Sequence, residues 1–147
     1  MKKYFVTIIF SLLLLTACSV KNDIDIPEPQ TVIAHWNLIK TTGGVAGVND
    51  TFPLETVVWT FNEVDFEIEI ENSNTDDTKQ DALDSGTYAY SVIEANGDTF
   101  LSIDGVEFGS FTISSTAVLT IDQNNLSDSS GADGFIYTFE RTLEVIE

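Results

Sequence analysis

From Thr31 onward, apolar and polar residues alternate in short runs broken by Gly, Asn, Asp and Ser, and no segment sustains a helical period. Eight runs stand out. Val32 to Thr41 places Ala34, Trp36 and Leu38 on one face. Glu55 to Asn62 places Val57, Trp59 and Phe61 together. Glu63 to Glu71 alternates most regularly, with Val64, Phe66, Ile68 and Ile70 opposite a row of acidic residues. That pattern predicts a half-buried strand. Gly86 to Ala95 groups Tyr88, Tyr90 and Val92. Asp98 to Ile103, Val106 to Ser114 and Thr116 to Asp122 follow, and Phe135 to Leu143 aligns Phe135, Tyr137, Phe139 and Arg141.

Asn96-Gly97 and Asp104-Gly105 predict two-residue hairpin turns, because both central positions of such turns need positive φ. In the sixth run the inward parity switches at Gly109-Ser110, which predicts a β-bulge there. The stretches Gly43 to Leu54, Asn72 to Ser85 and Asn124 to Gly134 read as loops, and the first two are placed beside a barrel mouth. Eight one-sided strands joined mainly by hairpins predict an all-β, eight-stranded antiparallel up-and-down barrel, which leaves no exposed sheet edge. A β-sandwich is the alternative that alternation leaves open.

The chain has 147 residues, enough for one domain, with 43% hydrophobic residues, as in a globular protein. Six Lys and Arg against 24 Asp and Glu give a net charge of −18. That balance opposes nucleic-acid binding, which needs clustered cations, and docking on an anionic membrane through a basic face. One His and one Cys leave little for a metal site or a nucleophile–base pair. No phosphate loop, dinucleotide fingerprint or zinc spacing occurs.

Residues before Thr31 read as an address rather than as fold. Lys2 and Lys3 precede an apolar run from Tyr4 to Leu15. The run is too short to span a bilayer, and its length suits a signal peptide. Leu15-Thr16-Ala17-Cys18 resembles the bacterial lipobox. The resemblance implies cleavage before Cys18 and lipidation of its sulfur and new amino group. Residues 1–17 are then a signal peptide, 18–30 the lipidated Cys and an extended tether carrying Pro27 and Pro29, and 31–147 the barrel. Each lipid methylene buried contributes about 0.8 kcal/mol, so two or three chains anchor a protein without a spanning helix. Ser19, rather than Asp, after the Cys implies an outer-membrane address; the periplasmic or surface side stays open.

Ala34-His35-Trp36 on the first strand and Phe139-Glu140-Arg141 on the last resemble the Gly-x-Trp and C-terminal Arg of lipocalins, with Ala34 standing where that family has Gly. Together with Gly86-Thr87-Tyr88, they make residues 32–142 similar to small lipocalin-like bacterial lipoproteins. The resemblance implies that the Arg141 guanidinium covers the Trp36 indole and closes one end of the barrel. Arg141 has the parity of the inward aromatics, and a buried guanidinium must be paired or stacked on physical grounds too.

The inward aromatics admit two readings. Trp59, Phe61, Tyr88, Tyr90 and Tyr137 either line a pocket for a small hydrophobic ligand, with Tyr hydroxyls fixing its orientation, or fill the interior. Aromatics bury roughly 150–250 Å² each, and the packing argument leans toward a filled or nearly filled barrel. A filled barrel implies a structural or interaction module that engages an envelope protein or glycan through its surface. His35 is read as a surface residue, because the sequence names no nucleophile or orienting partner for it. The Glu63–Glu71 ladder and the loops at 72–77, 122–124 and 128–133 are read as solvated or turn-forming rather than as calcium sites. The expectation is a non-enzymatic protein with no cofactor.

Overall fold

The computed structural model describes residues 30–146, so the lipobox, the lipidation site and nearly all of the tether lie outside the described residues. Nine strands form one sheet: β1 (Thr31–Gly43), β2 (Val48–Thr51), β3 (Val57–Asn62), β4 (Glu67–Asn72), β5 (Gly86–Ala95), β6 (Asp98–Ile103), β7 (Val106–Ile113), β8 (Val118–Asp122) and β9 (Phe135–Ile146). All neighbours are antiparallel, and β1 also pairs β9 from Thr31↔Ile146 to Gly43↔Phe135. That seam closes an eight-stranded barrel consistent with a lipocalin-like one, and the β-sandwich alternative drops out. The ninth strand, β2, shares a flank of β1 with β3: it pairs Lys40–Gly43, and β3 pairs His35–Asn37.

The expected turns form. Asn96 and Gly97 have φ of 56° and 91°, and Asp104 and Gly105 have φ of 50° and 78°. The sixth run is kinked, but one residue earlier than the parity switch placed it. Leu101 faces Gly109 and Ser102 faces Glu107, so Phe108 is the extra residue.

Three expectations are corrected. The third run does not start as a strand. Residues 63–66 form a turn, and β4 begins at Glu67. Asn62 dictates this: its Oδ1 accepts the Val64 and Asp65 N–H groups, and its Nδ2 donates to Asp65 at 2.8 Å. An Asn side chain that mimics a backbone turn interrupts the strand without disturbing the alternation. The Gly43–Leu54 stretch is not all loop, because β2 lies within it. The stretch from Phe52 to Thr56 then turns before β3, with the Thr56 N–H donating to the Pro53 carbonyl at 3.3 Å. Buried Asn37 braces it by accepting the Glu55 N–H at 2.8 Å and donating to Thr142 Oγ1 at 3.0 Å.

The third correction concerns the long loops. They do not flank a mouth; they cap the opposite end. Phe52 is buried there, Lys79 lies 5.2 Å over its ring, and Ala82 and Leu83 pack on the core. The core runs from this closed end to the barrel centre through Leu38, Val57, Trp59, Ile70, Leu119 and Phe139. The third loop works differently. It lies along the outside of β6 and β7, where Asn125 O accepts the Ser110 N–H and Ser127 donates twice to the Glu107 carboxylate. Phe100, which pairs with Ser110, is therefore buried although it stands at an outward parity.

Candidate functional site

The open end carries both ends of the described chain and the turns after β3, β5 and β7. Its gap follows from unequal strand lengths. Thr31–Ala34 pairs with β9 on one side but has no partner in β3, whose pairing with β1 stops at His35. Likewise β4 pairs β5 only as far as Ala89, and after the Tyr90 N–H, which bonds to the Phe66 carbonyl, Ser91–Ala95 continues beyond the β4 ladder on that flank. The short β3–β4 hairpin thus leaves a notch between two longer strands. A cleft of about 780 Å³ occupies it. That size lies within the range of roughly 300–1,000 Å³ typical of small-molecule sites.

The floor is aromatic. Phe61 meets Tyr90 edge-on at 5.2 Å between centroids and Phe111 at 5.9 Å. Val32, Val92 and Ile113 add aliphatic wall that is about half exposed. The polar groups are few: Glu63, Glu69, Asn62, Thr60, the Tyr90 hydroxyl and Arg141. Partial burial, and then the nearby Glu63 charge, raise the Tyr90 pKa. The hydroxyl therefore stays protonated at neutral pH and able to donate.

Trp36 and Arg141 are directly opposed across the β1–β9 seam, and the guanidinium lies 5.9 Å from the indole centre. Trp36 is buried and Arg141 is exposed, and both border the cleft. Since the cation is solvated, the stack is worth the lower part of the usual range. Trp36→Ala and Arg141→Ala together are expected to cost about 0.5–1 kcal/mol less than the sum of the two single losses. Strict additivity in a denaturant-unfolding cycle would show that the groups do not interact.

The five aromatics considered for ligand contact separate into three places. Phe61 and Tyr90 line the cleft. Trp59 and Tyr137 are buried in the filled part, with Trp59 5.0 Å from Phe139 and Tyr137 stacked on Phe108 at 5.8 Å. Tyr88 belongs to the closed end, where its hydroxyl donates to the Asp84 carbonyl at 3.0 Å. Sequence reasoning did not single out Phe111, Val92 or Ile113 as contacts. Their inward parity was legible, but the missing neighbours that expose them were not.

Burial, and secondarily the Asp81 charge, push the Tyr137 hydroxyl up to about 12. Unfolded tyrosines ionise near pH 10. Between about pH 10 and 12 the unfolded chain therefore binds fewer protons than the folded one. The Tyr137 contribution is complete below pH 10 and is lost as pH rises through this window. Its loss is on the order of 2 kcal/mol. Tyr137→Phe is expected to flatten that part of the alkaline stability profile, and an unchanged slope would contradict it.

His35 faces outward from the seam. Its Nδ1 lies 2.8 Å from Thr60 Oγ1 and its Nε2 3.0 Å from Glu144. The connectivity is that of a carboxylate–imidazole–hydroxyl relay, and neither partner was foreseen. The setting differs from that of an acyl-transfer site, however. Thr60 is held in ladder register with His35 and Glu69, and strand N–H groups point in the sheet plane rather than toward a developing oxyanion. Among the described residues no group of three His, Cys, Asp or Glu side chains converges as metal ligands. The loop carboxylates and amides instead close their own turns, as Asp76 does toward Thr78 and Asp122 toward Asn124. Comparison of the chain with protein-family models, with curated proteins and with solved structures gave no match.

Proposed function

We propose that this is a non-enzymatic, lipocalin-like lipoprotein of the cell envelope. It is anchored to the outer membrane through Cys18 and holds a small hydrophobic ligand in the cleft at the open end of its barrel. One observation carries the reading: an apolar, aromatic-floored space of about 780 Å³ with a few polar groups at its border. The ligand it suits is largely apolar, packed on Phe61, Tyr90 and Phe111, with a polar group that accepts from Tyr90 or Arg141. Trp59 supports that floor from below through Phe61, and Tyr137 packs on Phe108 and Phe135 away from it.

A second reading has its own observation. The barrel is filled from the closed end to Trp59, which suits a module that works through its surface on an envelope protein or glycan.

The test is native mass spectrometry of the full chain after incubation with a total lipid extract. A stoichiometric adduct is expected. Val92→Asp or Ile113→Asp, each at a half-exposed position, is expected to weaken it at least about tenfold, the effect of about 1.4 kcal/mol. Leu54→Asp, outside the cleft, is expected to leave it unchanged. No adduct at any lipid excess would favour the second reading. The anchor is tested separately: Cys18→Ala is expected to move the protein from the membrane pellet to the soluble fraction. Continued pelleting at high salt would refute lipidation.

A further inference from the structure

Exposed apolar side chains are not spread evenly over this barrel. Most of them, Val32, Val64, Phe66, Val92, Ile113 and Val145 included, stand at the open end, while Val45, Leu54 and Val106 stand at the capped end. At the capped end Val45 and Val106 protrude singly, each at a separate turn, whereas two of the most protruding lie together in the turn between β3 and β4, where Val64 is 85% exposed and Phe66 is 60% exposed. Asn62 braces that turn through its three hydrogen bonds, and the Phe66 carbonyl accepts the Tyr90 N–H at 2.8 Å. Phe66 also sits at φ 57°, a region that a bulky residue rarely occupies. A rigid, polar-braced turn therefore holds a valine and a phenylalanine in solvent beside an apolar cleft.

The position of the chain's entry gives this rim a partner. β1 begins at Thr31 in the same rim. If Cys18 carries lipid, twelve residues lie between it and Thr31, a reach of at most about 47 Å. The tether thus joins the barrel at its open end, the rim that carries Val64 and Phe66. Charge narrows the choice of lipid. Glu63, Asp65 and Glu67 interleave with Val64 and Phe66, so an anionic surface would repel the turn and a zwitterionic one would not.

We infer that the open end is a membrane-contacting face: Val64 and Phe66 enter the interfacial region of a zwitterionic lipid layer, and the cleft faces that layer. The inference rests on the proposed lipid anchor. It adds to the ligand reading a route by which an apolar ligand passes from lipid to cleft without crossing water. An exposed apolar patch of this kind marks an interaction surface, and a shallow insertion leaves the strand backbones outside the hydrocarbon.

The experiment uses the full-length lipidated protein in phosphatidylcholine vesicles that contain nitroxide-labelled acyl chains. Single thiols from Val64→Cys and Val45→Cys, at opposite ends of the barrel, carry an environment-sensitive fluorophore. Intact mass first establishes the lipid on Cys18, so failure of the anchor is read independently. Quenching at position 64 is expected to exceed that at position 45 at least threefold. Phe66→Gly, which relieves the positive φ, is expected to reduce the quenching at position 64 while leaving the ligand adduct in place. Equal quenching at the two ends, stronger quenching at position 45, or none at either would overturn the inference. So would a probe at position 64 that is already shielded without vesicles, since another part of the chain or a second copy would then cover the rim.

Discussion

Replacing Trp59 by Ala is expected to lower the unfolding free energy by about 3–5 kcal/mol, the range for deleting a large buried aromatic. Trp59 is fully buried, and it touches three rings, Phe61, Phe108 and Phe139, at 5.0–6.4 Å between centroids. It stands where the filled part of the barrel meets the floor of the cleft, so its loss also undermines Phe61. Among the described residues the indole N–H has no hydrogen-bond partner, and an unsatisfied buried donor is costly. Trp59→Phe removes that donor while keeping a ring, and is expected to cost less than about 1.5 kcal/mol. Denaturant unfolding measures both. A loss below about 1.5 kcal/mol for Trp59→Ala would mean that the centre of the barrel is not closed around this ring.

Gly109→Ala is expected to cost about 2–4 kcal/mol, although it adds only one carbon. Gly109 follows the bulged Phe108 and has φ of 151°, outside the range in which L residues are at ease. A Cβ there would lie 2.5 Å from the Asp122 carbonyl oxygen and 3.0 Å from the Gln123 nitrogen. Both are backbone atoms at the end of β8, so nothing flexible can yield. Gly97 provides the contrast. Its φ is also positive, at 91°, but among the described residues nothing lies within 4 Å of the added carbon. Gly97→Ala is expected to cost about 1 kcal/mol, the conformational penalty alone. Equal losses at the two positions would show that the close approach of β7 to the end of β8 is not tight.

The same bulge shows how much of this fold is written locally. Gly109 and the parity switch beside it announced the bulge, and Asn96-Gly97 and Asp104-Gly105 announced their turns. Each is a backbone requirement that few residue types meet. The Trp36–Arg141 juxtaposition was expected from the likeness to lipocalins; inward parity alone puts both residues on one face and leaves the register of the seam open. Residues 63–66 were misread for a related reason. Their apolar–acidic alternation is perfect, but alternation reports side-chain chemistry and not whether a neighbouring strand exists. Phe100 was hidden by the same kind of non-local fact, since the 123–134 loop buries an outward face.

The cleft itself left no local signature. It arises because the β3–β4 hairpin stops short while β1 and β5 continue, and strand length relative to neighbours is a property of the assembled sheet. The long loops illustrate the limit from the other side. Their composition marked them as loops, but which end of the barrel they cover is set by the direction of the strands they join.

Methyl-resolved NMR of the full chain, titrated with a long-chain fatty acid as the probe, tests the central claim most directly. The claim is that one end of this barrel is filled and the other is open to an apolar ligand. Shifts are expected at the methyls of Val32, Val92 and Ile113, while those of Leu38, Val57 and Ile121 in the filled part stay in place. Shifts centred on the Leu38, Val57 and Ile121 methyls, or no saturable shift at any methyl, would contradict it.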